Sequence, residues 1–364
     1  MFFEEFFSLH SMKILVVKTS ALGDVVQAFP VASYIKQLYP HSQLEWVAER
    51  AAVELIAAHP SVDRVYGIDT KRWRKNVFSK QTWLEASAVL KQLRASVYDV
   101  IFDLQGNSKS ALLLLPLRAF HKVGFSKKAV AEWPNILATN QRFTPPQEGN
   151  IRDENLFLVK SFFEMQGEYA IPSVTLRLTA PQREKYREIA LQIATLPRKK
   201  LLVCPGAAWP NKQMEERQLA SFLKKIAATE AFSFAFIWGN EAEKIVAMRL
   251  AEQLRLYAQA VILDRLELPL LQNVMELFSC IIAMDSLPLH LAASTGKATF
   301  SVFGPSLALK YAPKGAHQLA IQGTCPYGER FHRRCSFLRS CPTGACLRSI
   351  PPDDLAEAFC RAYC

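Results

Sequence analysis

The sequence predicts an α/β protein built from two doubly wound, Rossmann-like domains facing each other across a cleft. Three observations lead there. The chain has 364 residues, more than a single core of roughly 250–300 residues accommodates. Short, nearly continuous apolar runs recur along it, and stretches of helical period separate them.

The runs are Ile14 to Val17, Leu44 to Val47, Val100 to Phe102, Leu201 to Val203, Phe234 to Trp238, Ile281 to Ala283 and Thr299 to Phe303. Their length and their β-branched and aromatic content predict strands buried on both faces. Val25, Val26, Phe29, Ala32, Ile35 and Leu38 recur at three- and four-residue steps, as do Leu84, Ala88, Leu90 and Leu93 ahead of Tyr98; both series predict helices. Strand alternating with helix predicts parallel, helix-covered sheets. The alternation occurs twice, which assigns residues 12–172 to one domain and 173–349 to another. Residues 1–11 read as an N-terminal tail and 350–364 as a C-terminal helix. The stretch Gly167 to Pro181, with Pro172 inside it, reads as the linker.

A chain that is 50% apolar and 21% charged is neither disordered nor collagenous. The apolar run Ala111 to Pro116 is far short of the roughly 20 residues a membrane-spanning helix needs. Met1 to Ser11 carries four phenylalanines, Glu4 and Glu5 and no lysine or arginine, the wrong charge for a secretory signal, and Met12 reads as a candidate start. A cytoplasmic location is therefore expected, with the eight cysteines reduced. Net charge of +11 favours polyanionic partners. No nucleic-acid motif is present, so nucleic acid is not among those expected.

Five segments hold residues able to do chemistry. Lys18-Thr19-Ser20-Ala21-Leu22-Gly23-Asp24 lies where the first predicted strand passes into a helix, a ligand-binding position in open sheets. Lys71-Arg72-Trp73-Arg74-Lys75 reads as a basic loop after a third strand, suited to clamping phosphates and carboxylates. The turn Cys204 to Lys212 offers amides and one cation to a diphosphate. Asp285 to Ala293 ends a strand and opens a helix, with Pro288 in its first turn, and presents unpaired amides to an anion. Cys325, Cys335, Cys341 and Cys346 supply four thiols, of which only the last pair has the close spacing of structural zinc sites, so no metal is assigned. Each segment also has a plainer reading: a helix-dipole acid, a solvated charge run, a surface turn, a helix cap.

Taken in order, these segments resemble the lipopolysaccharide heptosyltransferases, glycosyltransferases of family 9 with the two-domain fold called GT-B. The resemblance runs from Met12 to about Pro352. It is carried by Met12 to Val26, by Tyr98-Asp99-Val100-Ile101-Phe102-Asp103-Leu104-Gln105-Gly106, by Pro205-Gly206 with Lys212, by Asp285 to His290 and by Val302-Phe303-Gly304-Pro305-Ser306. Arg72 to Lys75 followed by Phe78-Ser79 is similar to the enzymes adding the first heptose.

The resemblance implies an inverting transfer of L-glycero-D-manno-heptose from ADP-heptose to Kdo of Kdo-lipid A, in inner-core synthesis. It implies Asp24 as general base, and Lys18, Thr19, Ser20, Arg72, Trp73, Arg74, Lys75 and Gln105 at the acceptor in the first domain. It implies Lys212, Glu243, Leu266, Asp285, Ser286 and His290 at the nucleotide sugar in the second. No Asp-x-Asp triplet occurs, so neither metal nor cofactor is expected, and the leaving diphosphate falls to Lys212, amides and His290. The implied place of work is the inner face of the inner membrane, in peripheral contact with anionic lipid. Leu287 and Pro288 stand where the family normally has Gly two positions after the acid; Met214 replaces a common Trp, and Ala208 a hydroxyl residue. A related donor sugar or acceptor, or a non-catalytic binding relative, is the alternative.

Overall fold

A computed structural model describes residues 11–167 and 169–364. The tail assigned to residues 1–11 lies outside the described residues, apart from Ser11. The chain divides into two compact units, Met1–Pro172 and Ser173–Cys364.

The first unit runs β1 (Lys13–Val17), α1 (Leu22–Val26), α2 (Phe29–Leu38), β2 (Gln43–Glu49), α3 (Val53–Ala57), β3 (Arg64–Ile68), α4 (Thr70–Lys75), α5 (Lys80–Arg94), β4 (Val97–Asp103), α6 (Ser108–Leu114), β5 (Arg118–Phe125), β6 (Gln141–Phe143) and α7 (Ile151–Phe162). Its six strands form one parallel sheet in the order β3-β2-β1-β4-β5-β6. The switch of winding direction lies between β1 and β4, where such sheets bind ligands. One core joins strand residues such as Leu15, Val17 and Ile101 to Leu93 of α5 and to Ala111 and Leu114 of α6, so α5 and α6 cover the same face of the sheet.

Two local expectations are corrected here. The series Val25 to Leu38 forms two helices, because Pro30 occupies the first turn of α2 and has no N–H to bond back into α1. The basic segment expected as a loop, Lys71 to Lys75, lies in the short helix α4, whose start is fixed by Asp69 accepting from the Arg72 amide at 3.2 Å.

The second unit runs α8 (Ala180–Ala194), β7 (Lys199–Cys204), α9 (Glu216–Thr229), β8 (Phe232–Phe236), α10 (Glu241–Leu254), β9 (Gln259–Ile262), α11 (Leu268–Met275), β10 (Cys280–Met284), α12 (Leu287–Ser294), β11 (Ala298–Phe303), α13 (Ala308–Tyr311), β12 (Gln318–Gln322), α14 (Ala345–Arg348) and α15 (Pro352–Tyr363). Its parallel sheet is ordered β12-β11-β10-β7-β8-β9, the same winding as the first. Pro181 is no part of a linker. It sits in the first turn of α8, a favoured place for proline, and Thr179 caps that turn. Helix α15 packs on α9 through Phe359 and Phe222, and Phe359 also meets Phe300 of β11. Among the described residues no helix is long and apolar enough to cross a membrane.

Candidate functional site

In the first unit, β1 ends at Val17 and the chain turns into the segment that carries Asp24. Gln105, just past β4, holds this turn: its Oε1 accepts from the Thr19 amide (2.9 Å), the Thr19 hydroxyl (3.1 Å) and the Ser20 amide (3.1 Å). Gln105 is held in turn by Asp103, whose Oδ1 accepts from the amides of Gln105 (2.9 Å) and Gly106 (3.0 Å). Ser110 (2.8 Å) and Asn135 (2.6 Å) donate to the other Asp103 oxygen. Burial pushes the Asp103 carboxyl up, against hydrogen bonds from Asn135, Gly106, Ser110 and Gln105 that favour the anion.

Lys18 is buried, and its ammonium donates to the Leu104 carbonyl at 2.8 Å. It therefore braces the same turn. Asp24, partly exposed in the first turn of α1, accepts from the Ala21 amide at 3.3 Å. The four acceptor candidates in α4, Arg72 to Lys75, separate into two pairs. Arg72 bonds Asp69 (3.2 Å) and Glu85, and the Trp73 indole N–H reaches Glu85 at 3.4 Å. Arg74 and Lys75 are exposed.

In the second unit the C-terminal ends of β7, β8 and β10 carry the candidates. Lys212 closes a short 3-10 turn, Pro210–Lys212, and bonds the Asp285 carboxylate just past β10. His290 in α12 stands with Nε2 3.8 Å from Asp285 Oδ1. All three side chains are nearly buried, at 12%, 9% and 6% exposure, so the Lys212–Asp285 pair acts in a medium of low polarity. Burial works against ionisation of Asp285, yet His290 and the Lys212 ammonium outweigh it and hold the carboxyl well below the usual carboxylate range.

Ser286 precedes α12 at its cap position, and its hydroxyl donates to the Met284 carbonyl at 3.3 Å rather than capping the helix, which leaves that first turn without a side-chain cap. Glu243 sits in the first turn of α10, accepting from Gly239 N (2.7 Å) and Asn240 Nδ2 (2.9 Å). Its carboxylate fills the space a side chain at Gly206 would need, so a larger residue there would displace the Glu243 carboxylate from the end of β7. Leu266 is half-buried between β9 and α11. The site thus forms two clusters in this unit: Lys212–Asp285–His290, and Gly206–Glu243.

The sequence reading missed a set of supports. Buried Asn211 donates to the carbonyls of Leu338 (3.0 Å) and Cys341 (2.9 Å), Arg348 reaches the Pro210 carbonyl (3.2 Å), and Arg339 lies 4.6 Å over the Trp209 ring. The cysteine-bearing segment therefore backs the turn that carries Lys212. Among the described residues no three His, Cys, Asp or Glu side chains are gathered as a metal site, and all eight cysteines are free. Met214 is buried in the core of this unit.

Residues 86–340 match the family model for glycosyltransferase family 9 (heptosyltransferase). The chain belongs to this family. Among its curated family 9 relatives, lipopolysaccharide heptosyltransferase 1 of Pseudomonas aeruginosa is 27% identical over 326 residues, covering 90% of this chain and 88% of the relative. The enzyme of the same name from Escherichia coli is 28% identical over 300 residues, covering 81% and 88%. The fold is shared with E. coli heptosyltransferase WaaC with ADP, at TM-score 0.72 and 22% identity over 86% of this chain and 94% of that one. It is also shared with a family 9 glycosyltransferase from Veillonella parvula, at TM-score 0.79 and 16% identity over 98% of both chains.

Proposed function

We propose that this family 9 glycosyltransferase moves L-glycero-D-manno-heptose from ADP-heptose to Kdo of Kdo-lipid A, with inversion at the anomeric carbon. The carrying observation is the Lys212–Asp285–His290 cluster next to the uncapped start of α12. Cations and free amides at strand ends are what a leaving diphosphate needs.

In this reading Asp24 accepts the proton of the Kdo hydroxyl while its oxygen bonds to the anomeric carbon. The bond from that carbon to the ADP oxygen breaks, and the charge released on the diphosphate is met by Lys212, by amides at Ser286 and by His290. Asp285 holds Lys212 and His290 in place and is itself kept anionic by them. Glu243 takes the adenosine hydroxyls and Leu266 packs beside adenine. Thr19, Ser20 and Gln105 shape the acceptor turn, which Lys18 braces from beneath. Arg74 and Lys75 meet Kdo carboxylates and acceptor phosphates, with Arg72 and Trp73 anchoring their helix on Glu85. The protein works from the cytoplasmic side, in peripheral contact with the inner membrane that holds its acceptor.

A second reading, transfer of a related sugar, is favoured by one observation: Leu287 and Pro288 open α12, and Pro288 removes an amide from the turn that would meet the diphosphate. An assay of the purified protein with ADP-, UDP- and GDP-sugars and a Kdo-bearing acceptor tests both. Transfer from ADP-heptose is expected, including in the presence of EDTA. Transfer only from UDP- or GDP-sugars overturns the donor, and no transfer from any of them favours a non-catalytic binding relative.

A further inference from the structure

Helices α4 and α5 of the first unit form a hairpin whose tip is unusual for a water-facing surface. Val77, Phe78, Trp83 and Leu84 are 46%, 98%, 64% and 59% exposed. Isolated exposed apolar residues are ordinary, but four within eight positions concentrate apolar surface of the kind that meets another apolar phase. Helix α5 buries only Leu93. The face with Leu84, expected from its period to pack inward, is left bare.

Two polar donors of the tip are already bonded within it. The Trp83 indole N–H donates to the Val77 carbonyl at 2.7 Å, and the Ser79 amide bonds the Asn76 carbonyl at 3.0 Å. The indole donor, whose desolvation would otherwise be costly, is already satisfied inside the loop. Around this tip the charge is one-sided. Asp69 and Glu85, the acidic residues of the hairpin, are both engaged by Arg72. Lys71, Arg74, Lys75 and Lys80 take part in no ion pair among the described residues and are exposed.

We propose that the α4–α5 hairpin is a membrane-docking surface: Phe78, Trp83 and Leu84 enter the interfacial region of an anionic phospholipid leaflet while Lys71 and Lys80 meet headgroup phosphates. Apolar wedge and cationic collar together match such a leaflet in both polarity and charge. RNA would use the cations and the two aromatic rings, but it offers nothing to Val77 and Leu84, which have no ring to stack.

The hairpin is rooted at the candidate acceptor edge. The Thr70 amide bonds Glu49 at 3.2 Å, and the Glu49 amide bonds the Thr19 carbonyl at 3.0 Å. Docking through the tip therefore brings the strand-end edge that carries Asp24 to the leaflet. This rests on the proposed function for its purpose, because a lipid-borne acceptor is what makes that placement useful.

The test is co-sedimentation with phosphatidylethanolamine–phosphatidylglycerol vesicles free of lipid A, together with transfer to a soluble Kdo-bearing acceptor. The wild type is expected to sediment, less so at high salt. Phe78→Ser with Leu84→Ser, both surface positions, should weaken sedimentation by about tenfold or more while soluble transfer and melting temperature stay unchanged. Lys71→Gln with Lys80→Gln should weaken it and flatten its salt dependence. Docking is overturned if the wild type stays in solution, if the Phe78→Ser, Leu84→Ser variant sediments like wild type, if pure phosphatidylcholine vesicles bind as well, or if homopolymeric RNA is bound and vesicles are ignored. Sedimentation without any sugar transfer supports docking and retires only the proposed reaction; transfer without sedimentation does the reverse.

Discussion

The two units share a strand order, and each places an acid at the end of the strand next to its first: Asp103 closes β4 beside β1, and Asp285 follows β10 beside β7. Their surroundings differ. Asp103 is ringed by neutral donors, two amides, a hydroxyl and a carboxamide, and burial pushes its carboxyl up. Asp285 faces an ammonium and an imidazole, which hold its carboxyl down despite burial. The same position in the same winding thus does two jobs. In the first unit it fixes the shape of a turn; in the second it assembles positive charge.

Four outcomes sharpen or break this contrast. The largest effect is expected at the acid that the Asp103 network positions indirectly: Asp24→Asn should lower turnover by roughly 10²–10⁴-fold, the range of a lost general base, with melting unchanged. Near-normal turnover removes Asp24 from its role. Next, Asp285→Ala leaves Lys212 buried without its partner and should cost about 3–5 kcal/mol of stability, read from denaturant unfolding; a cost near zero means the cluster is not a coupled unit.

The third outcome concerns pH, where the two acids should act in opposite directions. Asp285 is lowered on folding, so its contribution is present above its unfolded value, about 4, and is lost as pH falls toward the folded value. Asp103 is raised, so its contribution is complete below that unfolded value and is lost as pH rises through the folded one. Asp285→Asn should therefore flatten the acid side of the stability–pH curve, and Asp103→Asn the side above about 4; matching changes in both variants would erase the distinction. The smallest effect is chemical. The Gly344 amide pulls the Cys341 thiol down, whereas burial pushes Cys280 up to about 12, so limited iodoacetamide treatment should label Cys341 ahead of Cys280, as mass spectrometry would show.

Much of the fold was legible because its central strands are buried on both faces and so read as unbroken apolar runs. β1, β2, β4, β7, β10 and β11 each contain one of the runs, and β8 holds Phe234 to Phe236 of the run that continues to Trp238. The outer strands were not marked this way. β5, with Arg118, His121 and Lys122, and β12, with Gln318 and Gln322, are only partly covered, and mixed polarity hides them. The candidate residues were legible as short segments at strand ends, but their ties were not. Lys212 meets Asp285 across 73 positions and Asn135 meets Asp103 across 32, separations at which no local periodicity speaks. Lys18 read as a cation turned toward the acceptor because sequence alone does not reveal that the Leu104 carbonyl receives it.

The division of labour between the units is tested most directly by calorimetric titration of ADP into wild type, Asp24→Asn and Lys212→Gln. Binding by the wild type is expected, with the same affinity in Asp24→Asn and a loss of about tenfold or more in Lys212→Gln, the scale of one charge-assisted contact. Equal affinity in all three proteins, or loss of binding in Asp24→Asn alone, would contradict it.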